Sequence, residues 1–123
     1  MRHYVPVTNR QPRWVYDAGE EPDPRFSLAN ERTFLAWVRT ALAMFAGGVA
    51  LHALDVPSTG WARGLIVVVL IGVGGLMCGL ALVRWARVER AMRLREPLPS
   101  FGLGITMTAA LMLVAVLLIF VLL

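Results

Sequence analysis

Arg25, Arg32 and Arg39 stand seven residues apart, and the last of them lies inside an apolar run. At about 100° per residue, a step of seven drifts only about 20° around a helix, so the three guanidinium groups share one side. The chemistry open to such a ladder is anion recognition, because a guanidinium stays charged and presents a fork of donors. Ala29, Ala36, Ala43, Ala46, Gly47 and Ala50 complete that side with side chains small enough for another backbone or a ligand to approach. Phe34, Val38, Phe45 and Val49 fall elsewhere on the wheel and suit lipid or the packing of neighbouring spans. Two readings of Arg39 stand side by side. It snorkels to a lipid phosphate and anchors its helix, or it faces a polar path and contacts an anion.

The other chemistry-bearing residues form smaller sets. Glu31 has no basic residue three or four positions away, so its expected partner is Arg84 or Arg87 of another helix, a structural ion pair. Arg84, Arg87, Arg90 and Arg93 are spaced by three, which spreads them round a helix as a collar. A collar suits anionic headgroups, and Arg90, Arg93 and Arg95 are the headgroup candidates. Nothing points to catalysis. His3 and His52 have no second ligand at metal spacing, Cys78 is a lone small side chain within an apolar run, and no nucleophile–base pair or phosphate-cradling glycine loop is present. No catalytic residue, metal or cofactor is therefore expected, and the chain reads as a non-enzyme. Twelve basic residues, all arginine, fit nucleic acid in principle, but the chain offers no soluble reading module, so nucleic acid is set aside.

These residues must be positioned by membrane helices. Of 123 residues, 58% are hydrophobic and 16% charged. The mean hydropathy of +0.66 is too high for an ordinary soluble domain of this length. A hydrocarbon core takes about 20 mostly apolar residues in helical form, since backbone groups there must be bonded within the segment. Stretches 33–54, 64–83 and 101–123 qualify, giving an all-α integral membrane fold with three transmembrane helices. The arginines flank the first and second spans on one side, so the amino-terminus and the second loop are expected in the cytoplasm and the carboxyl-terminus outside. Residues 1–22 are polar and Pro-rich without periodicity and read as a disordered cytoplasmic tail; residues 23–123 form the membrane domain. Asp23 followed by Pro24 is a helix start, and Pro97 bars extension of the second helix. Gly72, Gly75 and Gly79 share one side of the second span and are expected to pack closely against another helix, with Gly102, Thr106 and Ala110 a weaker version in the third.

The stretch NERTFLAWVRT, Asn30 to Thr40, followed by an apolar span and two more, resembles the three-span domain of YidH-type bacterial inner-membrane proteins. The same domain forms the membrane portion of the vacuolar transporter chaperone, a polyphosphate polymerase. The resemblance runs from about Pro24 to Leu123 and excludes the tail. It implies assembly around a central path for polyphosphate, with Arg32 and Arg39 reaching an anionic chain and Glu31 a structural or gating partner. The polymerase and phosphate-sensing domains of the large chaperone subunits have no counterpart here. Two functional classes follow. One is a homo-oligomer or larger membrane complex whose first spans line a path for an anion or polyanion. The other is a non-transporting scaffold that binds anionic membrane lipid and a partner membrane protein.

Overall fold

A computed structural model describes residues 10–100 and 102–123. The helices are α1 (Arg13–Tyr16), α2 (Pro24–Ala53), α3 (Gly60–Arg93) and α4 (Gly102–Leu122). No strand occurs among the described residues, and α2, α3 and α4 are each long and apolar enough to cross a membrane. Asp23 caps α2, its carboxylate accepting the Arg25 N–H at 2.9 Å, and Pro24 takes the first helical position, where no donor is lost. The 30 residues of α2 give a rod about 45 Å long at a rise of about 1.5 Å per residue. Its carboxyl end and that of α3 close alike. Asp55 (φ 52°) and Arg95 (φ 54°) adopt the left-handed conformation. Behind them the N–H of Val56 returns to the Leu51 carbonyl at 3.0 Å and that of Glu96 to the Ala91 carbonyl at 2.9 Å, which satisfies the last carbonyls of each helix. Because α3 runs unbroken for 34 residues, its apolar span and its basic extension are one rigid piece.

The central helix is α3. Both α2 and α4 pack against it and not against each other, so the three helices lie side by side. Ala41 and Met44 of α2, Ile66, Leu70 and Met77 of α3, and Met107 and Val114 of α4 form the buried core. Large apolar side chains elsewhere, Val68, Leu113 and Phe120 among them, face outward, as lipid as solvent permits.

Close approach of α2 and α3 rests on glycines other than the expected ones. A Cβ on Gly72, Gly75 or Gly79 would meet nothing within 4 Å, and all three are exposed. Gly74 is the tight position: a Cβ there would lie 2.7 Å from Phe45 Cε1 and 3.1 Å from the Ala41 carbonyl oxygen. Gly48 is next, 3.1 Å from Ile71 Cγ1. In α4 the buried positions are Gly104, Met107 and Val114, while Gly102 and Thr106 are exposed. The rotation of each helix decides this. Phe45 packs towards α3 and needs a missing side chain opposite it. Gly74→Val is accordingly expected to destabilise the α2–α3 pair by about 1–3 kcal/mol through overpacking, while Gly75→Val stays within about 0.5 kcal/mol. Unfolding in mixed detergent micelles measures both.

The expected disordered tail is corrected in its second half. Its first nine residues, His3 among them, lie outside the described residues. Residues 10–22 pack on the end of α3, with the single turn α1 burying Val15 completely.

Candidate functional site at the arginine-rich end

Arg25, Arg32 and Arg39 are all exposed. The buried positions of α2 are Asn30, Ala41, Met44 and Gly48. On an ideal wheel at about 100° per residue these average about 155° away from the arginines, so the ladder points away from α3. Its three members are not equivalent. Arg25 is folded back on the cap, its Nη2 2.9 Å from Asp23 Oδ2 and its Nε 3.3 Å from both carboxylate oxygens. The Arg25 side chain, then the backbone N–H, holds the Asp23 carboxyl below the usual range. The cap is therefore intact at neutral pH and is lost only as acid protonates Asp23 below that range. Arg32 and Arg39 have no ion pair among the described residues.

The outer face of α2 carries more than arginines. Read from Arg25, the helix is RFSLANE, RTFLAWV, RTALAMF, AGGVALH, four heptads with Arg or Ala first, Leu or Val fourth and Ala fifth. All the residues at these places are exposed: Arg25, Leu28 and Ala29; Arg32, Leu35 and Ala36; Arg39, Leu42 and Ala43; Ala46, Val49 and Ala50. The leucines escape a reading by charge and small residues alone; the seven-residue period would have found them.

Asn30, not Glu31, is the signature residue that meets α3. It is 5% exposed. Its Nδ2 donates to the Trp85 carbonyl at 3.1 Å and to Glu89 Oε1 at 3.3 Å, and Ser27 Oγ donates to Glu89 Oε2 at 3.2 Å. Glu89 is 3% exposed and has no cation in contact among the described residues. The expected ion pair of Glu31 with Arg84 or Arg87 does not form. One residue along the helix turns Glu31 about 100° off the contact. Arg84 and Arg87 lie about 100° and about 160° round α3 from Trp85, away from α2. Glu31 instead borders two cavities, of about 230 Å³ beside Tyr16 and Glu89 and of about 420 Å³ beside Phe34, Leu35 and Trp85.

The headgroup candidates are held by the amino-terminal segment. Arg93, 5% exposed, donates from Nη2 to the Tyr16 carbonyl at 2.7 Å, from Nε to the Ala18 carbonyl at 2.8 Å and from Nη1 to Glu21 Oε1 at 3.1 Å. Arg10 shares Glu21, and the Arg93 carbonyl accepts the Glu20 N–H at 2.9 Å. Arg90 stacks on Trp14 at 4.7 Å, and Arg95 pairs with Glu20 at 3.1 Å. Gly19 (φ +54°) makes this possible, since a Cβ there would lie 1.9 Å from the Arg93 carbonyl oxygen. Burial, followed by the Glu89 charge, raises the Tyr16 phenol above its ordinary value, so it stays neutral. At the opposite end, the Asp55 carboxylate lies 3.7 Å from Arg63, and the Asp55 N–H donates to the His52 carbonyl at 3.4 Å. No group of three metal-ligating side chains occurs among the described residues, and Cys78 is half-buried.

The sequence profile of DUF202, a domain of unknown function, matches residues 25–91, more than half of the chain. The chain belongs to the DUF202 family. The Escherichia coli K12 inner membrane protein YidH is 48% identical over 99 residues, which cover 80% of this chain and 86% of YidH. The uncharacterized protein Rv2272 of Mycobacterium tuberculosis is 51% identical over 83 residues, 64% of this chain and 66% of Rv2272. No solved structure matches. With its three apolar helices and this relationship, the protein is a multi-pass membrane protein. The DUF202 match contains the arginine ladder and the Asn30–Glu89 contact and leaves out Arg93 and α4.

Proposed function

We propose that this DUF202 protein forms a ring of copies whose α2 helices line a path for anions of the phosphate or polyphosphate class. The observation that carries the reading is the exposed heptad face of α2. Seven-residue repetition is what a helix needs to stay in register with another helix in a left-handed supercoil, and a lone helix has no use for it. The contact with α3 uses other positions, so the repeat belongs to a neighbour. Leu28, Leu35, Leu42 and Val49 lie on one flank of the ladder and Ala29, Ala36, Ala43 and Ala50 on the other. Leucines of one copy can therefore fill the alanine flank of the next, a head-to-tail contact that generates a ring where the rotation between copies closes. In such a ring Arg32 and Arg39 recur at fixed heights, weak successive sites for an anion. They carry no carboxylate of their own to screen them. The resemblance to the membrane domain of the polyphosphate polymerase supports the same reading. The protein acts without catalysis, with the arginine-rich end in the cytoplasm.

Flux of phosphate and short polyphosphate into proteoliposomes, alongside native mass spectrometry, tests this. Wild-type protein should assemble as a discrete ring and conduct. Arg39→Ala should lower flux at least about tenfold, the loss of roughly one charge-assisted contact, with assembly and protein level unchanged. A monomer, or flux indifferent to Arg39, overturns it. The scaffold reading has one observation in its favour, the exposed Gly72, Gly75 and Gly79 face of α3, open to a partner helix. It predicts a monomer or dimer without flux.

A further inference from the structure

Arg84 and Arg87 are the arginines of the collar that the amino-terminal segment does not hold. Neither forms an ion pair or a side-chain hydrogen bond with a described residue, whereas Arg90 stacks on Trp14, Arg93 is bonded to residues 16–21 and Arg95 pairs with Glu20. With Ser100 they border a cavity of about 210 Å³ between the end of the α3 span and the start of α4. The rest of its wall is apolar, made by Leu80, Val83 and Leu103 with Pro99 and Gly102. Arg84 is half-buried against this wall and Arg87 is exposed.

The cavity is two-sided. Leu80 and Val83 belong to the apolar run of α3, and the arginines begin where that run ends, so the charged rim stands at the boundary between hydrocarbon and water. Two unpaired guanidinium groups and a hydroxyl at that level match a phosphate oxyanion. A free phosphate would leave the leucine and valine wall unused, whereas a lipid places an acyl chain along it. We propose that the cavity between α3 and α4 binds a phospholipid, its phosphodiester held by Arg84, Arg87 and Ser100 and one chain lying on Leu80, Val83 and Leu103. With two positive charges and no carboxylate on its rim, the site prefers a net-anionic lipid to a zwitterionic one. The site is formed within one chain and does not depend on a ring of copies.

The full chain in nanodiscs of equal parts phosphatidylglycerol and phosphatidylcholine, released and weighed by native mass spectrometry, tests the proposal. Wild-type protein should retain phosphatidylglycerol on each protomer in preference to phosphatidylcholine. Arg84→Gln with Arg87→Gln should lower that retention about thirtyfold, the loss of two surface-level cations, and Arg95→Gln should leave it unchanged. Val83→Trp, which fills the apolar wall and keeps both arginines, should lower it as well. Equal retention in the double variant, equal retention of the two lipids, or displacement of the lipid by inorganic phosphate would overturn the assignment; the last would make it a free-phosphate pocket.

Discussion

Arg93→Met is expected to release residues 10–22 from the end of α3 while the three spanning helices stay in place. The substitution keeps an unbranched apolar stem and removes every donor. Lost are the bonds to the Tyr16 and Ala18 carbonyls and to Glu21, at 2.7, 2.8 and 3.1 Å. Neutral acceptors are worth about 0.5–1.5 kcal/mol net and a bond between charged groups about 1.5–3 kcal/mol. The sum, about 2.5–6 kcal/mol, exceeds what Val15 burial and the Arg90–Trp14 stack hold on their own, since burying a valine contributes about 1.5–3 kcal/mol and must offset the ordering of several residues. Trypsin cleavage after Arg13 and amide exchange at Glu20, whose N–H is bonded to the Arg93 carbonyl, should both accelerate by about a hundredfold or more, with helix content unchanged. Gly19→Ala should act in the same direction through the backbone, since its Cβ would collide with the same carbonyl. If neither variant loosens the segment, Arg93 is not what docks it.

What could be read in the sequence was whatever a single helix decides. The length of the apolar runs gave three spans, Asp23–Pro24 gave the start of α2, and the arginine period gave a shared face that turned out to point away from α3. What could not be read was whatever depends on how two helices are turned against each other. Gly75 and Gly79 have the spacing of a packing motif, yet Phe45 puts Gly74 at the contact and leaves them outside. Glu31 has the charge for an interhelical pair, but its neighbour Asn30 occupies the side that meets Trp85 and Glu89. The docked segment was hidden for another reason. Its anchor is a set of backbone carbonyls, which carry no sequence signal, met by an arginine that looked like one more member of a collar. Gly19, in a left-handed turn, was the one local sign.

Asn30→Ala is the sharpest test of how the signature works, because Glu31→Ala beside it controls for position. Asn30 bonds both a backbone carbonyl and a carboxylate of α3 from a site 5% exposed, and Glu89 is 3% exposed. Removing the amide strips Glu89 of one of its two donors and leaves a buried carboxylate leaning on Ser27 alone. A hydrogen bond to a charged group contributes about 1.5–3 kcal/mol and an uncompensated buried acceptor adds to the loss, so the expected cost is about 2–4 kcal/mol. Glu31→Ala, at an exposed position without an ion pair, should stay within about 0.5 kcal/mol. Glu89→Gln keeps the shape, removes the charge and offers a donor amide next to Asn30, whose buried Oδ1 has no partner; it should cost about 1 kcal/mol or less. Combining Asn30→Ala with Glu89→Gln should then recover part of the first loss, because the group left behind is no longer a charge. Unfolding of the four proteins in mixed micelles reads all these terms. Equal losses for Asn30 and Glu31 would mean that α2 is turned differently against α3. A recovery in the double variant would identify the buried carboxylate, and not the mere loss of an amide, as the reason the signature needs an asparagine.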